Sequence, residues 1–276
     1  MATQAEKAIN FWALHERADA FIIPNPWDPG SACLLAGLGF EALATTSSGY
    51  ANSIGRADGE VSLEEKIAHC RSLCDATDLP LSADLENCFA DSPEAAAHTI
   101  LLAAEAGVVG GSIEDFSGDA DKPIYDFDLA VERVHAAVEA ARSLDFHFTL
   151  TARAENLLRG RNDFDDTIRR LQAFEAAGAD VLYAPALKTL EEVRAVTAAV
   201  SKPVNVLAPP LKNVTVAQLS EAGVKRISVG GALARAVIAA LLRAGREMRD
   251  QGSFAWTADA TPGSEINKLM ESGDSI

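Results

Sequence analysis

The sequence has little cysteine, a shortage of positive charge and no long apolar segment. Its 276 residues include 24 lysines and arginines against 40 aspartates and glutamates, a formal net charge of −16. This charge opposes binding to nucleic-acid phosphates. No apolar run reaches the roughly 18 residues of a membrane span, and residues 1–10 lack the basic and apolar sections of a secretory signal. We therefore predict a cytoplasmic protein that binds neither nucleic acid nor membranes.

The cysteines offer neither a disulfide framework nor CxxC spacing, so reduced thiols are expected; they are Cys33, Cys70, Cys74 and Cys88. Cys70 and Cys74 lie four residues apart on a predicted helix, where two metal ligands could meet. Burial on the inner face of that helix is the favoured interpretation.

Three familiar site motifs are also missing. There is no GxSxG nucleophile motif and no Walker phosphate loop. The first predicted strand is followed by residues 25–30, NPWDPG, where a dinucleotide-binding fold requires GxGxxG. A Rossmann-type nucleotide site is therefore disfavoured.

Short apolar or β-branched runs alternate with amphipathic segments, which is typical of βα units around a parallel sheet. Eight strands are predicted: Phe21–Trp27, Ala42–Ser48, Pro80–Glu86, Val109–Asp115, Phe146–Arg153, Asp180–Ala186, Pro203–Ala208 and Arg226–Gly230. Helices are predicted between them, with N-cap residues at Ser62, Ser92 and Thr189. Glycines after Ala106, Ala177 and Ala222 mark helix ends.

Eight such units in roughly 250 residues fit an α/β fold of the (β/α)8 TIM barrel type better than an open sheet. A single domain over residues 1–276 is predicted, since no linker separates a second one. A leader helix from Gln4 to Asp19 precedes the barrel, and residues 253–276 form a C-terminal extension.

Acidic residues recur where the third and fourth predicted strands end. Asp84 and Glu86 lie two residues apart and therefore on one side of a strand. Glu114 and Asp115 end the next strand. Catalysis in such barrels occurs at the carboxyl ends of the strands. Several carboxylates there, without histidine or cysteine, indicate Mg²⁺. A structural network with Arg153 is the alternative.

Groups able to bind a substrate carboxylate follow other strands. Arg153 ends the fifth strand and can bind a carboxylate through two N–H groups, although a salt bridge to a neighbouring acid is the simpler interpretation. Small residues at 45–49 offer hydroxyls and backbone amides, or only a tight turn. Asn205 on the seventh strand either orients substrate or packs in the core. No histidine is predicted at this rim, which leaves carboxylates, tyrosines such as Tyr50, a lysine or metal-bound water for the chemistry.

In combination these segments resemble the isocitrate lyase / phosphoenolpyruvate mutase superfamily from about Phe21 to Met248. The motifs are residues 25–32, 44–50, 55–59 and 83–87, with Ser112–Asp115 and Thr151–Arg153. The resemblance implies a barrel whose Mg²⁺, with Mn²⁺ as an alternative, binds an α-oxo or α-hydroxy carboxylate and stabilises an enolate.

The resemblance also implies roles for individual residues. Asp84 corresponds to the direct metal ligand, with Glu86 and Glu114 binding metal-bound waters. The carboxylate-binding turn falls on Ser47, Ser48 and Gly49, the substrate arginine on Arg153, and the mobile-loop aspartate on Asp58. Family members are typically homotetramers, dimers of dimers that exchange the last barrel helix, here Leu233–Arg249.

Departures from the superfamily restrict the reaction. The Lys-Lys-Cys-Gly-His loop of the lyases is replaced by residues 116–122, FSGDADK, and the gate loop and histidine of the mutases are not found. Cys88 and Ala90 stand where glycines are usual, which could narrow the site. We expect a lyase, decarboxylase or hydrolase of a small oxo- or hydroxy-carboxylate. Phosphonopyruvate chemistry and an oxo-acid-binding barrel with little activity are the alternatives.

Overall fold

The structure, a computed structural model, describes residues 2–273. The outermost residues of the predicted domain 1–276 and extension 253–276 lie outside this range. All eight predicted strands are found in the described residues, but shorter: β1 Phe21–Ile23, β2 Leu43–Ala44, β3 Leu81–Asp84, β4 Gly110–Glu114, β5 Thr149–Arg153, β6 Val181–Tyr183, β7 Val204–Leu207 and β8 Arg226–Ser228.

The strands form one parallel sheet that curls into a barrel. The order is β1-β8-β7-β6-β5-β4-β3-β2. At the seam between β1 and β2, the Ala44 amide donates to the Pro24 carbonyl at 3.0 Å, so the barrel is nearly closed. The predicted (β/α)8 TIM barrel is confirmed. All strands point their carboxyl ends to one rim.

The helices pack around this barrel, with bounds α1 Gln4–Glu16, α2 Pro29–Gly37, α3 Ser47–Ser53, α4 Leu63–Ala76, α5 Pro93–Glu105, α6 Phe127–Arg142, α7 Phe164–Ala176, α8 Leu190–Ala199, α9 Val216–Glu221, α10 Ala232–Gln251 and α11 Gly263–Gly273. The side chains of Ser62, Ser92 and Thr189 each accept a backbone N–H at a helix start, as predicted. Within residues 2–273, no helix has the length and apolarity needed to cross a bilayer.

The second predicted strand was wrong at its carboxyl end. We expected extended chain through Ser48, but β2 ends at Ala44 and α3 begins at Ser47. The Thr46 hydroxyl accepts the Gly49 amide and so caps this short helix. The serines therefore lie on the first turn of a helix at the rim, not on a strand.

The leader helix α1 closes the amino-terminal end of the barrel, although it ends at Glu16 and not Asp19. Its Phe11 and Leu14 pack in a buried cluster with Phe21 and Val109. Gly110 is needed beneath it, because a Cβ there would lie 3.0 Å from the Phe11 ring. Burial of each such side chain stabilises the fold by about 1.5–3 kcal/mol.

The last two helices differ in their packing. Only Ala234 and Ala244 of α10 are buried, and Leu241 is 68% exposed. By contrast, α11 packs closely on α2, where a Cβ on Gly37 would lie 2.1 Å from the Leu269 carbonyl oxygen. The predicted C-terminal extension is thus helical and docked, while the exchange of α10 between subunits stays a prediction.

Candidate active site

A cavity of about 990 Å³ opens at the carboxyl ends of the strands. Eight of the nine predicted site residues line it: Ser47, Ser48, Asp58, Asp84, Glu86, Glu114, Arg153 and Asn205. Gly49 does not. It is buried in α3, where a Cβ would lie 2.5 Å from the Thr46 side chain and 3.0 Å from Trp27, so close packing requires glycine there.

Arg153 is the centre of the charged network in this cavity. Its Nη1 lies 2.8 Å from Asp84 Oδ1, and its Nη2 lies 3.0 Å from Glu114 Oε2 and 2.8 Å from Glu155 Oε1. Glu114 is beside Arg153 in the strand register. Burial opposes the charge of Arg153, but the three carboxylates outweigh it and raise its pKa well above the usual value.

Asp84 is held as a carboxylate by several donors. Burial would raise its pKa, but the attraction of Arg153 and Lys66, with hydrogen bonds from backbone amides, leaves the pKa below its usual value. The Ser47 amide donates to Asp84 Oδ2 at 3.2 Å, and the Ser112 hydroxyl to Oδ1 at 3.4 Å. Asp84 therefore presents a charged, fixed carboxylate to the cavity.

The negative charges of the other two predicted metal ligands, Glu86 and Glu114, are less well compensated by nearby cations and hydrogen bonds than that of Asp84. Burial, with the nearby Asp84 charge, raises the pKa of Glu86 to about 7. Within residues 2–273, no hydrogen bond or ion pair holds the Glu86 carboxylate, and its backbone has a φ of 52°. Burial also raises the pKa of Glu114 well above its usual value. In both residues the charged form of the carboxyl group is therefore disfavoured unless a further cation comes close to it.

Asp115 belongs to a different cluster. It follows Glu114 on the strand and therefore points to the opposite face, where its side chain accepts the Glu155 amide at 2.7 Å and Arg170 Nη1 at 3.1 Å. Asp115 joins the barrel to α7. Of the three or four converging carboxylates expected from the sequence, three line the cavity. Glu155, from the chain after β5, joins them through its ion pair with Arg153.

The sequence interpretation missed Lys66, which lies beneath the acidic rim. It is 1% exposed, and its Nζ donates to Thr45 Oγ1 at 3.0 Å. The same hydroxyl oxygen accepts the Asp84 amide at 2.8 Å. The signal was available in the spacing, because Lys66 falls on the buried face of α4 with His69 and Leu73.

Arg159 and Tyr183 were also missed. Arg159 Nη2 lies 3.4 Å from Glu114 Oε1, and its guanidinium lies 3.4 Å from the centre of the Phe116 ring. The Tyr183 ring centre lies 5.1 Å from the Arg153 guanidinium, and burial raises the pKa of its phenol to about 12. These residues restrict the movement of Arg153 and Glu114. No local sequence motif indicates that Arg159 or Tyr183 lies in this site.

Asn205 and Asp58 line the cavity in different ways. Asn205 is buried, its Oδ1 accepting Arg226 Nε at 2.9 Å and its Nδ2 donating to Ser228 Oγ at 3.0 Å. Asp58 is exposed on the segment between α3 and α4. The cavity is thus bounded by one fixed amide inside the barrel and one exposed carboxylate at the mouth.

Cys88 does not narrow the cavity. Neither Cys88 nor Ala90 is among the lining residues, and Cys88 is fully buried in the core. Its φ of 59° lies in the left-handed region that favours glycine, which costs about 1–3 kcal/mol. The consequence of this cysteine is backbone strain after β3.

The oxygen donors of the rim fit a hard divalent cation, although the Arg153 guanidinium contacts two of the carboxylates that would bind it. Asp84, Glu86 and Glu114 supply only oxygen donors, as Mg²⁺ prefers. Among residues 2–273, no group of three histidine, cysteine or acidic side chains is arranged to hold a metal, and Asp84 and Glu114 both contact Arg153. The uncompensated Glu86 carboxylate is the observation that favours a cation here.

Comparison with known sequences identifies the family. The sequence profile of the phosphoenolpyruvate phosphomutase family matches residues 11–249. The chain belongs to this family. Its place in the phosphoenolpyruvate mutase/isocitrate lyase superfamily, expected from the motifs, is confirmed.

Family members similar to this chain differ in what is known of them. A Burkholderia cenocepacia J2315 crystal structure, classed provisionally as a lyase/mutase, is 56% identical with a TM-score of 0.95, over 98% of each chain. An uncharacterized Mycobacterium tuberculosis H37Rv protein is 30% identical over 88% of this chain and 90% of its own. Oxaloacetate decarboxylase of Paraburkholderia xenovorans LB400 is 30% identical over 78% of this chain and 73% of its own.

Proposed function

We propose that this family member is an Mg²⁺-dependent enzyme that breaks a C–C bond in a small α-oxo or α-hydroxy carboxylate, as a lyase, decarboxylase or hydrolase. The observation that carries the proposal is the half-buried Glu86 carboxylate, which lines the open cavity close to Asp84 and for which residues 2–273 provide no hydrogen bond or ion pair. Similarity to an oxaloacetate decarboxylase supports this substrate class.

In this proposal the rim residues divide into two groups. Asp84 would hold the cation, with Glu86 and Glu114 holding it through waters, and the ion would supply positive charge for a carbonyl oxygen. Arg153 would bind the substrate carboxylate, together with the hydroxyls of Ser47 and Ser48. Binding in this fixed geometry would hold the reacting bond in line.

The position of Asp58 suits a residue that covers bound substrate. It is exposed, lies on the segment between α3 and α4, and lines the cavity. Closure of this segment would exclude water and strengthen the charge interactions inside. Within the described residues 2–273, no cysteine lines the cavity, which disfavours a lyase mechanism that uses a thiol acid and favours decarboxylation or hydrolysis.

The decisive experiment is release of oxo-acid from oxaloacetate, 2-methylisocitrate, alkylmalates and phosphonopyruvate, with Mg²⁺ and with chelator. We expect chelator-sensitive turnover of a C–C substrate, and its loss in Asp84→Asn. The matched control is Asp78→Asn, which removes the same charge from a pair with Lys7 outside the cavity. Turnover that survives both chelator and Asp84→Asn contradicts the metal assignment, whereas turnover of phosphonopyruvate alone supports P–C chemistry instead.

A second candidate is a barrel that binds oxo-acids without turnover. Arg153 contacts both Asp84 and Glu114, so these carboxylates are already paired with a protein cation. In that case oxo-acids would raise the melting temperature, while no product would form on any substrate of the panel with Mg²⁺ or Mn²⁺.

The exposed apolar residues of α10 support a homo-oligomer. Val237, Leu241, Leu242 and Met248 are each at least 40% exposed. A single chain leaves them in water, which is unfavourable for a contiguous apolar surface. We propose that a second copy covers them, in a dimer that exchanges α10 and forms a homotetramer.

A further inference from the structure

Arg133, on α6, is a buried cation held by backbone carbonyl groups. It is 1% exposed. Its Nη1 donates to the Ala90 carbonyl and, at 2.6 Å, to the Asp91 carbonyl, and its Nη2 donates to the Asn87 carbonyl. In the described part of the chain, no acidic side chain forms an ion pair with it. All three carbonyls belong to residues 86–91, which we call the β3 turn because they follow that strand.

The backbone of the β3 turn is strained. Glu86, Cys88 and Phe89 have φ values of 52°, 59° and 56°, in the left-handed region that residues other than glycine rarely adopt. Such residues persist only where the surrounding structure holds them, and they are concentrated at functional sites. The first of the three, Glu86, lines the cavity. The strain therefore begins at a residue proposed to hold the cation.

Tyr125 holds the same turn through its hydroxyl group. The hydroxyl donates to Asp91 Oδ1 and accepts from Asn87 Nδ2 at 3.2 Å, and the Arg133 guanidinium lies 4.4 Å from the centre of the Tyr125 ring. Asn87 Oδ1 in turn accepts the Phe89 amide at 3.0 Å. The guanidinium and the phenol therefore hold both ends of the turn together.

The β3 turn is also joined to the neighbouring strand. The Glu86 carbonyl accepts the Glu114 amide at 3.0 Å, and the next carbonyl, that of Asn87, accepts from Arg133. Hydrogen bonds from a charged donor are about twice as strong as neutral ones. Arg133 does not line the cavity, so it acts on the cavity through the backbone of the turn.

We propose that Arg133 is a positioning residue for Glu86: by holding the β3 turn, it keeps Glu86 in the left-handed conformation that directs its carboxylate into the cavity. This inference rests on the proposed function, in which Glu86 holds the cation through water. Loss of Arg133 would leave Asp84 and Glu114 in place but release Glu86. Partners that orient the ligands of a metal site typically change its affinity by about 10–100-fold.

The first test measures cation binding in the wild type and in Arg133→Met. The probe is Mn²⁺ as a substitute for Mg²⁺, with free Mn²⁺ measured by electron paramagnetic resonance. We expect Arg133→Met to bind Mn²⁺ at least about tenfold more weakly, and Arg133→Lys to recover part of the loss. In the metal-free variant, hydrogen exchange should become faster over residues 86–91. Unchanged affinity in a folded Arg133→Met overturns the inference and leaves the proposed function standing. A wild type that binds no Mn²⁺ overturns both.

The matched control lies on the same helix. Arg142 also donates to two backbone carbonyls, those of Phe148 at 3.4 Å and Gly178 at 3.3 Å, and does not line the cavity. Arg142→Met should keep the Mn²⁺ affinity within about twofold of the wild type. Equal weakening in both variants would mean that affinity follows global stability, which overturns the inference.

A milder substitution decides the question if Arg133→Met does not fold. Tyr125→Phe keeps the ring beside Arg133 but removes the hydroxyl that contacts Asn87 and Asp91. We expect Mn²⁺ to bind about three- to tenfold more weakly, the effect of one lost hydrogen-bonding group, with faster exchange confined to residues 86–91. Wild-type affinity and wild-type exchange in Tyr125→Phe would overturn the inference.

Discussion

Arg153 Nη1 lies 2.8 Å from Asp84 Oδ1, so the residue proposed to bind the substrate carboxylate contacts the residue proposed to bind the metal. A cation at Asp84 competes with this guanidinium. A substrate carboxylate that pairs with Arg153 would weaken its contact with Asp84. Binding of a substrate carboxylate to Arg153 and binding of a metal to Asp84 are therefore expected to favour one another. When neither is bound, Arg153 and Asp84 neutralise each other.

Substitution of Arg153 tests this competition. Arg153→Met leaves Asp84, Glu114 and Glu155 buried without their shared cation, so the free energy of unfolding should fall by about 3–5 kcal/mol. Added Mg²⁺ should raise the melting temperature of the variant more than that of the wild type. The control is Arg17→Met, whose exposed pair with Glu41 contributes less than about 1 kcal/mol. An equal effect of Mg²⁺ on Arg153→Met and wild type would show that Arg153 does not compete.

The buried His15 should make stability depend on pH. Burial, with the charge of Arg226, lowers its pKa from 6.5 to about 3. Because the unfolded chain binds this proton more tightly, the free energy of unfolding falls as pH drops from about 6.5 towards 3, by up to about 1.4 kcal/mol per pH unit. Between pH 7.5 and 5.5, urea unfolding should show a loss about 1.4 kcal/mol larger in wild type than in His15→Leu.

The exposed His98 provides the control for this measurement. His98 lies on the outer face of α5, so His98→Leu should lose stability between the two pH values as the wild type does. A His15→Leu protein with the wild-type pH slope would show that His15 is not held neutral.

Substitution on α10 tests the oligomer. Leu241 is 68% exposed in one chain, and Leu241→Glu should place a charge in the proposed interface. Loss of such an apolar contact costs about 2 kcal/mol, or roughly thirtyfold in the dissociation constant. Light scattering after size exclusion should show a tetramer in wild type and a smaller species in the variant. Val216→Glu, an exposed apolar position on α9, should leave the mass unchanged, and a monomeric wild type would contradict the proposal.

Gly37 should control the docking of α11. A Cβ there would lie 2.1 Å from the Leu269 carbonyl oxygen, so Gly37→Ala must move α11 or strain both helices, at about 1–3 kcal/mol. Hydrogen exchange over residues 263–271 should become faster. On α10, no other part of the described chain lies within 4 Å of a Cβ built on Gly245. Gly245→Ala should therefore raise stability by about 0.5–1 kcal/mol. Unchanged exchange in Gly37→Ala would mean that the close contact is not maintained in solution.

The order of the eight βα units follows from short-range patterns in the sequence, namely apolar runs, helix caps and glycines at helix ends. Helix caps such as Ser62 and terminal glycines such as Gly107 act on backbone groups within a few residues. Strand lengths were overestimated because pairing in a closed barrel ends where the neighbouring strand turns away, which local apolar runs do not record. The helix at Ser47–Ser53 was missed for a related reason, since serine and glycine favour turns as readily as a helix start.

The sequence by itself determined the barrel, the acidic rim on β3 and β4, and the arginine at the end of β5. Only the tertiary structure decided that Arg153 pairs with Asp84, 69 residues away, and that Arg226 reaches Thr151, 75 residues away. It also separated Glu114 from Asp115 and placed Lys66 beneath the rim. Periodicity places a residue on a face of its own element, but the partner across the barrel depends on closure and on which buried charges find compensation.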